Sequence, residues 1–252
     1  MFIRSAPLRL CRPTWRHITW ATTLMLLGAA SAAQPAGADS ATADTAVLAV
    51  VEVPKPGYVP RFMVTRKMRE TIPQYTSIPG LAFKAYAINR DGSAYGGLYL
   101  WDSLGEASAW FSPDWFERVR RERGVDATVR MFQVISVVDT VPDGMPPDPR
   151  SNAVASLLLL PADSVFADVS PQALAGLVAA DQHAAGLLRR YRVLDHEGRM
   201  GVLSLWQDAG AARLLMTADM EAEAEWFDTP ILLPRTRPSN PTFRHGEGEP
   251  AQ

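Results

Sequence analysis

Residues 79–102, PGLAFKAYAINRDGSAYGGLYLWD, and residues 185–208, AGLLRRYRVLDHEGRMGVLSLWQD, spell one hairpin twice. Each opens with a small residue, then Gly and Leu, and continues as an alternating strand. Each turns through a charged segment holding Gly92 or Gly198, then climbs from Gly96 or Gly201 to a Leu-x-Leu-Trp ending at Trp101 or Trp206. In a strand, successive side chains take opposite faces. That places Leu81, Phe83, Ala85 and Ala87 on one face, and Ala82, Lys84, Tyr86 and Ile88 on the other. The Asp91-Gly92 pair is a hairpin turn signal.

The elements around each hairpin repeat as well. AVLAVVEV, residues 46–53, is short and rich in β-branched residues, as a buried strand is. RFMVTRKMRETIPQ, residues 61–74, has apolar residues at mixed helical spacing and is ended by Pro73. After Trp101, a helix is predicted over 103–123. Ser103 and Glu106 have capping-box spacing, Pro113 kinks or restarts the helix and Gly124 stops it. A strand over 127–139 completes a β-α-β-β-α-β order, that of a ferredoxin-like unit. A Pro-, Gly- and Asp-rich linker follows at 140–153, and the order then begins again. VASLLLLPA is a strand, and a helix runs from Ser170 (N-cap) and Pro171 towards Gly186. The second hairpin precedes a helix over DAGAARLLMTADMEAEAEWF and a short last strand, TPILLPR. The unit boundaries are thus 46–139 and 154–234, with a polar, disordered tail at 235–252.

A four-stranded sheet with both helices on one face leaves its other face apolar and uncovered. Two copies in one chain can cover each other. The expected fold is therefore α+β, two tandem ferredoxin-like units packed sheet to sheet as an intramolecular dimeric α/β-barrel, and a monomer.

The first residues belong to a different argument. Arg4, Arg9, Arg12 and Arg16 precede an apolar run, Ile18–Ala32, which ends in Ala30-Ser31-Ala32. A positive start, a short apolar stretch and a small-residue cleavage site make residues 1–33 an expected secretory signal peptide, with an Arg-rich mitochondrial presequence and an uncleaved anchor as the alternatives. The run is short of the roughly 20 residues that span a bilayer. The expected location is periplasmic or secreted, with no stable membrane insertion after cleavage. The one cysteine, Cys11, lies before the apolar run, so the mature chain has no disulfide, thiolate or Cys-type zinc chemistry. The net charge of −2 and pI near 6.1 argue against nucleic acid as a partner.

The run Pro79–Lys84, with Gly96-Gly97-Leu98-Tyr99-Leu100, Glu106–Ala109 and Gly124-Val125, resembles the YdhR-type monooxygenases. These belong to the dimeric α/β-barrel superfamily, with antibiotic-biosynthesis and haem-degrading monooxygenases as relatives. The resemblance covers residues 46–139; the second unit joins it only through the internal repeat. It implies a pocket between sheet and helices. It also implies oxidation of phenolic or anthrone-type substrates by O2 with no cofactor, metal or flavin, as some members do. The signal peptide and the fusion of two units depart from that pattern.

No phosphate loop, dinucleotide fingerprint or nucleophile elbow is present. His183, His196 and His245 have no zinc-ligand spacing, and the first unit offers no histidine for haem iron. Aromatics concentrate in the first unit, where they serve either as ordinary core or as the lining of a pocket for a flat hydrophobic ligand. The candidate catalytic residues are Lys84, Tyr86 and Tyr99: a lysine to stabilise a phenolate and hydroxyls to bond its oxygen. Phe83, Trp101, Trp110 and Trp115 are the candidate substrate-binding residues. Lys84 could equally be a strand-edge lysine reaching solvent along its stem. In the second unit, Arg189, Arg190, Arg192 and Ser204 take the places of Phe83, Lys84, Tyr86 and Tyr99, which leaves one working pocket. The expected function is an exported monooxygenase-like protein acting with O2 on an aromatic or phenolic small molecule. The alternatives are a non-catalytic periplasmic module binding a hydrophobic small molecule, and a structural protein whose pocket its own side chains fill.

Overall fold

The structure, a computed structural model, describes residues 45–140, 151–161, 164 and 170–233. The predicted signal peptide, most of the linker and the tail lie outside the described residues. The first half holds β1 (Val47–Pro54), α1 (Arg61–Glu70), α2 (Ile72–Tyr75), β2 (Leu81–Asn89), β3 (Ala94–Trp101), α3 (Leu104–Trp110), α4 (Pro113–Arg123) and β4 (Thr128–Asp139). The second holds β5 (Val154–Leu159), α5 (Pro171–Gln182), β6 (Leu187–Leu194), β7 (Met200–Trp206), α6 (Ala209–Leu215), α7 (Ala218–Glu223) and β8 (Glu225–Leu233).

The strands form a closed antiparallel barrel in the order β1-β3-β2-β8-β5-β7-β6-β4. Within it, β4-β1-β3-β2 and β8-β5-β7-β6 are runs of the same order. They join edge to edge, β2 on β8 and β4 on β6, so no open strand edge remains. The barrel interior is apolar: Leu48, Val50, Phe83, Ala85, Leu98 and Leu100 from the first half meet Leu157, Val193, Leu203, Leu205 and Phe227 from the second. The helices cover the outer face.

Both hairpins carry a bulge at the same place. Leu81 pairs with Trp101 and Phe83 with Leu100, while Leu187 pairs with Trp206 and Arg189 with Leu205. The extra residue moves Leu81 to the helix-covered face, so it does not share the face of Phe83, Ala85 and Ala87. A tight corner precedes each bulge. Gly80 and Gly186 have φ of 74° and 73°, and their carbonyls accept from the N–H of Asp102 and Gln207, each at 2.8 Å. A side chain at either glycine would be strained by that φ and would run into Glu106 or Ala211.

Local signals placed most helix ends. Ser103 accepts from the Glu106 N–H at 3.2 Å, and Gly124 closes α4 with φ 71°. Three elements differ from expectation. The first helix stops at Thr71, whose hydroxyl donates to the Met68 carbonyl, and Pro73 lies in the first turn of α2 instead of ending a helix. The helix expected towards Gly186 ends at Gln182. The long last helix is divided, because Thr217 caps a new start by accepting from the Met220 N–H. Trp226 and Phe227 then leave the helix for β8, where they pair with Ser156 and Ala155.

Candidate functional site

Lys84 and Tyr99 are cross-strand partners on β2 and β3, and Tyr86 stands opposite Gly97. All three tyrosine and lysine side chains point to the helix-covered face. A Cβ on Gly97 would lie 3.0 Å from the Tyr99 ring, so this glycine makes room for the ring to lie over the strand. Above them sits Tyr75, the last residue of α2. The Lys84 ammonium nitrogen is 2.8 Å from the Tyr75 ring centroid, 4.0 Å from that of Tyr86 and 4.5 Å from that of Tyr99.

Lys84 is only 2% exposed, so it is not a lysine reaching solvent. Burial, the one cause acting on it, pushes its pKa well below the ordinary lysine value. Ring faces favour the ammonium by about 0.5–2 kcal/mol each and offset part of that cost. Burial also pushes the phenols upward. It raises Tyr86, and Tyr99 is raised further by Tyr75. Burial raises Tyr75 too, although a hydrogen bond with Tyr99 draws it down. The Thr71 hydroxyl already donates to the Met68 carbonyl, so Tyr86 donates its proton to Thr71 across 2.8 Å. The result is an amine shifted towards its neutral, basic form among protonated phenols.

A chain of rings runs outward from this group. Tyr75 meets Trp110 at 6.0 Å between centroids, Tyr99 stacks on Trp101 at 6.4 Å, and Phe111 bridges Tyr99, Trp101 and Trp115. The structure thus brings Lys84, Tyr86, Tyr99, Trp101, Trp110 and Trp115 into one cluster. Phe83 is not brought there; the alternation of β2 turns it into the barrel interior, with the Arg189 guanidinium 4.3 Å over its ring. The indole N–H groups of Trp101 and Trp110 are buried without an acceptor. Elsewhere, a cavity of about 340 Å³ opens at the β4–β6 seam, lined by Val47, Leu104, Met131, Gln133, Asp195 and His196. Two of its lining residues, Val47 and Met131, also pack in the cluster that holds Trp101, Phe111 and Trp115.

The second half builds the same place differently. Arg190 pairs with Ser204 in the ladder as Lys84 pairs with Tyr99. Asp181 lies six residues before Leu187, as Tyr75 lies six before Leu81. The Asp181 carboxylate, 4% exposed, accepts from Arg190 and, at 2.5 Å, from Arg192. Arg190 also donates to the Ser204 hydroxyl at 2.9 Å. Trp206, equivalent to Trp101, does find an acceptor: its N–H donates to Ser156 at 3.1 Å. The ladder puts Ala49 opposite Tyr99 and Ser156 opposite Ser204, so the first half has a methyl group where the second has that hydroxyl.

Sequence reasoning missed Tyr75, Thr71 and Asp181. Extending the repeat alignment back across Gly80 and Gly186 would have aligned Tyr75 with Asp181. Among the described residues no group of His, Cys, Asp and Glu could hold a metal ion, and no helix is long and apolar enough to cross a membrane.

No protein-family model and no curated protein matches the chain. Solved structures do. A "putative monooxygenase" from Fusobacterium nucleatum is 14% identical, with a TM-score of 0.50 over 75% of this chain and 93% of that one. An anthrone oxidase-like protein is 12% identical, with a TM-score of 0.47 over 74% and 91%. A ferredoxin-fold protein from Listeria monocytogenes, related to antibiotic biosynthesis monooxygenases, is 9% identical, with a TM-score of 0.42 over 75% and 96%. At such identities the likeness is one of fold.

Proposed function

We propose that the chain is an exported, monooxygenase-like fused pseudo-dimer of two ferredoxin-like units, whose first unit oxidises a flat phenolic or enolic small molecule with O2. The observation that carries this reading is the amine of Lys84, buried against three tyrosine rings and shifted towards its neutral form. In a cofactor-independent oxidation the substrate itself supplies the electron to O2, and an ionised phenol or activated methylene can.

Lys84 takes the proton from such a methylene or its enol. The carbanion passes one electron to O2, and the substrate radical and superoxide combine into a peroxide. Lys84 returns its proton to that peroxide. Loss of the second C–H proton with hydroxide then leaves a carbonyl and one water, so one oxygen atom enters the product and the other becomes water. The protein's part is to hold the anion, orient it and exclude solvent. The Trp101 and Trp110 N–H groups are donors free to hold a substrate oxygen. The Tyr75 ring occupies the position a flat substrate would take over Lys84, and the four-residue helix α2 carries it. Entry therefore requires Tyr75 to swing out.

Oxygen uptake with a panel of hydroquinones, naphthols and anthrones tests this. Uptake above the uncatalysed rate is expected, abolished in Lys84→Met, reduced in Tyr86→Phe and kept or raised in Tyr75→Ala. The second reading is a structural barrel or a binding module without turnover. The ring-on-ring contacts of Tyr75, Tyr99, Trp101 and Trp110 favour it, since they fill the expected pocket. Absence of uptake in both wild type and Tyr75→Ala would put that reading first. Export rests on residues 1–33; Edman sequencing of the secreted protein should start next to Ala32 or Ala33, and an intact Met1 in a periplasmic fraction would refute cleavage.

A further inference from the structure

The charged cluster of the second half is not balanced. Arg190 and Arg192 share the one carboxylate of Asp181, which leaves a buried positive charge. Arg192 is 3% exposed; its Nη2 bonds Asp181, while its Nη1 is buried without any partner. Ser136 on β4 is the ladder partner of Arg192 on β6, so the two side chains stand together on one face. Ser136 is 8% exposed, and its hydroxyl is also buried without a partner. Two donors lacking an acceptor thus adjoin one uncompensated charge.

The first half shows what the alternative looks like. Tyr86, equivalent to Arg192, faces Ile231 across the β2–β8 seam, where Arg192 faces Ser136. An apolar pair sufficed at one seam; the other has a cation and a hydroxyl. An unpaired buried guanidinium is costly unless an anion or strong acceptor meets it.

We infer that the Arg192–Ser136 pair binds a small monovalent anion of halide size, held by Arg192 Nη1 and the Ser136 hydroxyl beneath α5. The anion neutralises the cluster and ties β4 to β6, one of the two seams where the halves of the barrel meet. The burial of both side chains is the reason the inferred ligand is a one-atom anion and not an extended carboxylate.

Two measurements test it. The first is a crystal of the protein grown in sodium bromide, collected at the bromine edge. An anomalous peak between Arg192 Nη1 and Ser136 Oγ is expected; a water or empty density there overturns the inference. The second is thermal unfolding in chloride against gluconate at equal ionic strength. Chloride at tenfold its Kd should raise Tm by about 3–6 °C. Ser136→Ala should weaken that shift and Arg192→Met abolish it. Anion-independent unfolding of the wild type, or an undiminished chloride effect in both variants, would count equally against the site.

Discussion

The helix-covered faces of the two halves are built on one backbone and hold opposite chemistries. Beneath α2, a lysine lies among three tyrosine rings; beneath α5, two arginines share an aspartate. The same bulge, the same glycine corner and the same ladder partners set both places. What differs is how each buried cation is accommodated. The second half supplies a counter-charge and accepts the rigidity of a paired network. The first supplies only ring faces, so its amine gives up its proton readily. A buried base without a carboxylate partner is a poor structural device and a useful chemical one, which is why the first half is the better candidate for turnover.

That contrast can be broken by substitution. The largest effect is expected at Asp181→Ala, which leaves two guanidinium groups buried without their carboxylate. Urea unfolding should show a loss of about 3–5 kcal/mol. The equivalent change Tyr75→Ala removes a partly buried ring and no charge, and should cost about 1–3 kcal/mol. Equal costs at the two positions would mean that the charge network matters less than the packing.

Lys84→Met comes next, and its sign is opposite. Between the lowered pKa of the folded state and about 10.4, the unfolded chain holds the Lys84 proton while the folded chain does not. Wild-type stability therefore climbs with pH through that window, and the variant lacks this slope. At pH 7 the variant should be the more stable in urea unfolding, because the folded wild type holds that proton less tightly than the unfolded chain does. The difference should shrink as pH approaches 10. A wild type at least as stable as the variant at pH 7 would show that the rings hold a full ammonium.

The smallest effects sharpen the comparison at the two tryptophans. Ser156→Ala removes the acceptor of the buried Trp206 N–H and should cost about 1–3 kcal/mol by denaturant titration. Ala49→Ser offers Trp101 the hydroxyl that Trp206 already has, and should gain about 0.5–1.5 kcal/mol. A loss instead would mean that this fully buried alanine has no room for an oxygen.

Much of the barrel was legible before any coordinate. Alternation along β2 assigned Lys84 and Tyr86 to one face, the ladder register then brought Tyr99 to that face, and the turn residues and caps at Gly92, Ser103 and Gly124 stand where short-range chemistry put them. These signals are local: each depends on residues within one turn or one strand. The end of the last helix was misplaced because Trp226 and Phe227 suit either a helix or a strand alone, and pairing with β5 decided between them. The bulge that sends Leu81 outward is likewise invisible to simple alternation.

The sequence by itself determined the two matching hairpins, the strand faces within each and the residues able to build an aromatic site, because period-two patterning and turn chemistry are written within each segment. Only the tertiary structure decided that Tyr75 lies over Lys84 and Asp181 between Arg190 and Arg192. Those positions depend on how each helix crosses the sheet, and that crossing is set by long-range packing and by the closing of β2 on β8 and β4 on β6.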